Sequence, residues 1–308
     1  MKHLFRLIVL LLCFYFPNLT AQITEYDSSL INQKLEIEIS CENNSFVQGQ
    51  LIDVLVRIKN NTGDTLKLPP IDQFIYSYED EITYRGDRMG SQLGAGAIPP
   101  HQEKIYIINP LQFINHKKED KSLLPGLPWY YWTVGNYNYY IYYKLNKVVC
   151  TSNKITITIK PPSDSLISDF EALKTDLKNP DLLNTSTYKF ESLEHLYEIH
   201  KGTFYEKEFL YKLLINWNYT YAIANKNEAE TLRPRAMELY KEFILKYPNT
   251  EGAIFYFGNI YSYRDQGNEN LLKEILTSLK NDDCANIFWR VVDNQKRYRF
   301  KDLDSYGF

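Results

Sequence analysis

The spacing of apolar residues changes once along this chain, at Pro161-Pro162, and no fold built from one kind of secondary structure can accommodate both sides. Upstream the apolar residues alternate. Leu35, Ile37, Ile39 and Cys41 oppose Glu36, Glu38 and Ser40, and Ile52, Val54, Val56 and Ile58 oppose Asp53, Arg57 and Lys59. Ile155, Ile157 and Ile159 likewise alternate with Thr156, Thr158 and Lys160. A period of two places one face of a strand in a core and the other in solvent. Downstream, Leu166, Ile167, Phe170, Leu173 and Leu177 recur every three to four residues, the pattern of an amphipathic helix. The chain therefore reads as multidomain, β then α, with a sheet domain over 30–161 and a helical domain over 163–300.

Turn chemistry subdivides the β half. Asn60-Asn61-Thr62-Gly63-Asp64 closes one strand and Pro69-Pro70 stops the next, while 85–100 and 116–128 read as long surface loops. About seven or eight short strands separated in this way predict an antiparallel β-sandwich. In the α half, helices are expected at 189–200, 203–224, 232–247, 251–264, 270–279 and 285–295, and their short connections make neighbours antiparallel.

Two resemblances follow from particular residues. Phe46 to Ile52 with Asn60-Asn61-Thr62, then Ile98-Pro99-Pro100, Gly135-Asn136-Tyr137 and Ser152 to Ile155, resemble immunoglobulin-like domains of secreted bacterial proteins. They are similar, more loosely, to the intracellular proteinase inhibitor family. Ala236, Tyr240, Phe243 and Pro248, followed by Gly258 and Tyr261, resemble a tetratricopeptide repeat running into its successor. The resemblances imply an Ig-like sandwich and an all-α, tetratricopeptide-like helical array. Both fold types commonly present surfaces.

Positive Lys2 and Arg6, the apolar run 7–16, Pro17 and a small residue at Ala21 have the layout of a secretory signal peptide over 1–21. That run is about half of the roughly 20 residues needed to cross a bilayer. Export through the Sec pathway to the periplasm or outside the cell is expected, with no integral membrane segment after processing. Loss of Lys2 and Arg6 takes the formal charge from −3 to −5, which disfavours nucleic acid as a partner. Three cysteines then remain. Cys41 and Cys150 fall in the same half and are candidates for a disulfide, the alternative being that each is a small buried hydrophobe.

No catalytic motif is present: there is no G-x-S-x-G, Walker loop, H-E-x-x-H or C-x-x-C. His195 and His200 are five apart, about 140° around a helix, and so do not share a metal-binding face. No catalytic residue, metal or cofactor is assigned, and a non-enzymatic role is expected. With 26 tyrosines against 13 glycines, the informative anomaly is aromatic. Trp129, Tyr130 and Trp132 precede a strand in which Tyr137, Tyr139, Ile141 and Tyr143 face inward and Tyr140 and Tyr142 outward. The outward row is either covered by the helical domain or forms a binding surface made of Trp129, Tyr130, Trp132, Tyr140 and Tyr142. The expected function is that of an exported binding or scaffold protein of the cell envelope with a protein partner. Carbohydrate or cell-wall binding through the aromatics, and proteinase inhibition by a sandwich loop, are the alternatives.

Overall fold

The computed structural model describes residues 34–68, 73–78, 81–85, 96–109, 134–145, 148–178, 190–218, 226–297 and 299–307. The signal-peptide segment, Trp129, Tyr130, Trp132 and most of both long loops lie outside them. Sheets come first in the chain and helices second, as the change of period requires.

Strands β1 (Leu35–Ser40), β3 (Val54–Asn60) and β8 (Glu103–Ile108) make an antiparallel sheet in the order β1-β3-β8. A second sheet runs β2 (Ser45–Val47), β11 (Ile155–Lys160), β9 (Gly135–Leu145), β5 (Gln73–Tyr78), β6 (Glu81–Arg85), with β10 (Val148–Thr151) also on β9. A small ladder joins β4 (Leu66–Leu68) to β7 (Gly96–Ile98). One pair departs from the antiparallel expectation. The chain changes sheet between β1 and β2, and β2 enters beside β11 in the same direction, pairing Phe46 with Ile159 in parallel.

Side-chain amides close the strand edges. The Asn153 carboxamide accepts from Ile39 N at 2.8 Å and donates to Ile39 O at 2.9 Å, finishing the β1 edge. On β8, Asn294 accepts from Ile105 N and donates to Glu103 O, both at 2.9 Å. On β2, Asn43 bonds both Ser45 N and Ser45 O, and Gln50 accepts from Val47 N at 2.7 Å. An uncapped edge invites pairing with another chain, so these amides act as end-stops.

The helices are α1 (Ile167–Lys178), α2 (Phe190–His200), α3 (Glu206–Asn216), α4 (Lys226–Lys246), α5 (Glu251–Ser262), α6 (Glu269–Lys280) and α7 (Asn286–Lys296). Helix α5 starts at Thr250, whose hydroxyl accepts from Ala253 N at 3.2 Å. Helix α4 begins at Lys226, earlier than the 232 that the sequence suggests, and Pro234 lies inside it. Gly252 is required at the α4–α5 corner: a Cβ there would stand 2.9 Å from the Phe243 ring and 3.0 Å from that of Tyr211.

The apolar side chains form one cluster that runs without a break from Leu35 through both sheets to Leu303. Helices α5 and α7 pack on β8, and Phe170, Leu173 and Tyr205 close around Gly49. Gly49 has φ +96°, a left-handed conformation, and a Cβ on it would lie 2.9 Å from Leu173 Cδ2.

Candidate functional site

The outward face of β9 is the surface that the aromatic excess singles out. Its inward side chains Tyr137, Tyr139 and Ile141 are buried, as alternation predicts. On the outward side, Asn136 accepts from Thr158 Oγ1 at 2.7 Å and Asn138 from Thr156 Oγ1 at 3.1 Å, each across a β9–β11 register pair. The next outward position is the half-buried Tyr140, with the Lys154 ammonium 5.7 Å from its ring centroid. Tyr142 occupies the register position between Gln73 and Thr151. Among the described residues, the helices meet the β half at β8 and at the segment from Gln48 to Asp53.

The candidate Cys41–Cys150 bridge is not formed, and both residues are free thiols. Cys41 directly follows β1 of the first sheet, and its thiol lies 2.9 Å from Asn43 O and 3.2 Å from Asp53 O. Cys150 is paired opposite Tyr143 in the second sheet and fully buried. Burial pushes both thiols up to about 11, so neither is a ready nucleophile. Of the two alternatives, the small-hydrophobe reading fits Cys150.

Sequence reasoning missed a second site, a cleft of about 270 Å³ where the two halves meet. Its residues are far apart in the chain, and no local pattern announces them. The β half supplies Cys41, Leu51, Asp53, Leu55 and Ile107, the start of α3 supplies Lys207, and the α4–α5 corner supplies Tyr247 to Thr250. Cys284 and Ile287, at the start of α7, complete the wall. Hydrogen bonds clamp the halves around it. Tyr205 Oη donates to Gln48 O at 2.6 Å, Leu51 N donates to Glu208 Oε1 at 2.9 Å, and Glu251 N donates to Asp53 Oδ1 at 2.9 Å. The last of these sets a carboxylate on the first turn of α5, where the helix dipole favours it. Burial pushes the carboxyls of Asp53 and Glu208 up, opposed in both by the nearby Lys207 ammonium.

Among the described residues no three His, Cys, Asp or Glu side chains come together as a metal-holding group. His200 is nearly buried, bonded through Nε2 to Asp176 at 2.9 Å and stacked on Phe209 at 3.9 Å. It has a structural place between α1, α2 and α3. Among the described residues, no helix is long and apolar enough to cross a membrane.

No protein-family model matches the chain, and no curated protein does. Among solved structures it is similar to the sporulation control protein Spo0M from Bacillus subtilis, with 14% identity and a TM-score of 0.28. The match covers 46% of this chain and 55% of that one, so the chain spans about half of its length. A likeness at that level carries neither a fold nor a role to this chain.

Proposed function

We propose that this is an exported, non-enzymatic binding or scaffold protein of the bacterial cell envelope that engages a protein partner through the outward face of β9. In this reading an Ig-like sandwich presents the face and a tetratricopeptide-like array backs it. The observation that carries the proposal is the row Asn136/Thr158, Asn138/Thr156, Tyr140/Lys154, in which the outward side chains already hold one another. A surface ordered before contact loses little side-chain entropy on binding. Tyrosine beside a cation is also the kind of residue on which interface energy concentrates. Support for the helical array comes from Ala236, Tyr240, Phe243, Pro248, Gly258 and Tyr261, all of which are buried, as the stacking of repeats requires.

The test is capture of partners from extracts of the native organism on wild-type protein and on Tyr140→Ala. A partner held by the wild type and released by the variant supports the reading; the same proteins on both columns overturn it. The half-buried Tyr140 ring beside carboxamides also favours a second reading, carbohydrate recognition. A saturable change in tryptophan fluorescence with an oligosaccharide, lost in Tyr140→Ala, would establish that reading instead.

A further inference from the structure

We propose that the cleft between the two halves binds an apolar α-amino acid, with Lys207 taking its carboxylate, Asp53 its ammonium group and the apolar wall its side chain. This proposal is independent of the β9 face and rests on which polar groups of the cleft are already used.

Most of them are. The Asn249 carboxamide donates to Cys284 O and Asn286 Oδ1 and accepts from Ile287 N and Phe288 N. The Thr250 hydroxyl donates to Tyr247 O and accepts from Ala253 N. Asn43 spends both ends of its amide on Ser45. Asp53 and Lys207 are the oppositely charged pair of the lining that keeps capacity; the exposed Glu42 carboxylate also lines the cleft. Asp53 has Oδ1 committed to Glu251 N, while among the described residues Oδ2 meets only the Lys207 ammonium, at 3.8 Å. Lys207, with three N–H donors, also makes a long 3.4 Å bond to Leu51 O and lies near the Glu208 carboxyl.

A carboxylate and an ammonium thus stand side by side, loosely joined, on the wall of a cleft. That arrangement is the complement of an α-amino acid, which also carries its two opposite charges next to each other. Each half of the exchange is a charge-assisted hydrogen bond in a place partly screened from water, where such bonds are stronger than at an open surface. Leu55, Ile107 and Ile287 then offer an apolar surface to the ligand's side chain. At about 270 Å³ the space falls just below the roughly 300–1,000 Å³ of sites for drug-sized ligands, a size that suits one amino acid.

The test is titration of the full protein with L-leucine and L-phenylalanine, followed by calorimetry and by the shift in unfolding midpoint. N-acetyl-leucine and leucinamide, each lacking one charge, serve as comparisons. We expect saturable binding of the free amino acids and a loss of roughly tenfold or more in Kd for either blocked form, about 1.4 kcal/mol or more. Equal binding of the blocked forms, or no saturable signal from either free amino acid, overturns the proposal. A second readout needs no substitution: the exposed Cys284 thiol lies on the wall, so bound leucine slows its alkylation, followed by mass spectrometry. An unchanged rate at saturating leucine also overturns it. Lys207→Met and Asp53→Asn should each abolish the leucine response, and either variant that folds with the response intact counts against the assignment.

Discussion

Asn153 holds Ile39 by both polar groups of its backbone, taking its N–H at 2.8 Å and giving a hydrogen bond to its carbonyl at 2.9 Å. A side-chain amide thereby replaces the next strand, and Asn294 does the same on the opposite edge of that sheet. Asn153→Ala removes both bonds and leaves a partly buried donor and acceptor without protein partners. The expected cost is about 1–3 kcal/mol. Urea unfolding should report it as a lower midpoint with little change in slope.

Two glycines of α5 should respond unequally to alanine. A Cβ on Gly252 meets the rings of Phe243 and Tyr211, both buried and unable to yield, so Gly252→Ala should destabilise by about 1–3 kcal/mol. A Cβ on Gly258 meets the guanidinium end of Arg299, a flexible group that can swing aside. There the helix preference for alanine, up to about 1 kcal/mol, should offset most of the loss. Thermal unfolding of the two variants side by side measures the contrast.

Lys212 is 5% exposed, has no partner among the described residues, and is pushed down to about 8 by burial. The folded chain gives up this proton more easily than the unfolded chain does, so the unfolded state binds more protons between about pH 8 and 10.5. Stability should therefore rise with pH through that window. The group's contribution amounts to about 3 kcal/mol across it. Lys212→Met should be more stable than wild type at pH 7 and should lose this part of the slope between pH 8 and 9.5.

The three thiols should separate by reactivity. Cys284 is exposed, while Cys41 and Cys150 are raised to about 11 by burial. Brief alkylation of the native protein at pH 8 should label Cys284 first. Non-reducing peptide mapping should find no Cys41–Cys150 link; finding one would contradict the arrangement of the two sheets.

Local patterns made the elements legible and left the junction hidden. Alternation at Leu35, Ile37 and Ile39, and again at Ile155, Ile157 and Ile159, places β1 and β11 almost to the residue, because burial on one face writes itself directly into a period of two. Helices α2, α5 and α7 likewise begin and end within a residue or two of expectation. The start of α4 misled. The apolar spacing puts it at 232, whereas the helix begins at Lys226 and carries Pro234 inside it. Asp53 misled for a different reason: alternation sets it on the solvent face with Arg57 and Lys59, but α5 arrives from almost 200 residues later and caps it. Where a side chain's environment is made by a distant segment, its neighbours in sequence carry no trace of it. The same holds for Lys207 and the rest of the cleft.

The unbroken apolar cluster from Leu35 to Leu303 bears on how this chain can be handled and how it can have diversified. Pro161-Pro162 looks like a seam at which two modules were joined, yet cutting there would strip Gly49 of Leu173 and Tyr205, and β8 of α5 and α7. Either fragment, expressed alone, would carry a raw greasy side into solution. The halves are therefore not interchangeable parts. A recombination event that swapped one of them would need to bring a matching counterface with it, and inheritance should keep the pair together.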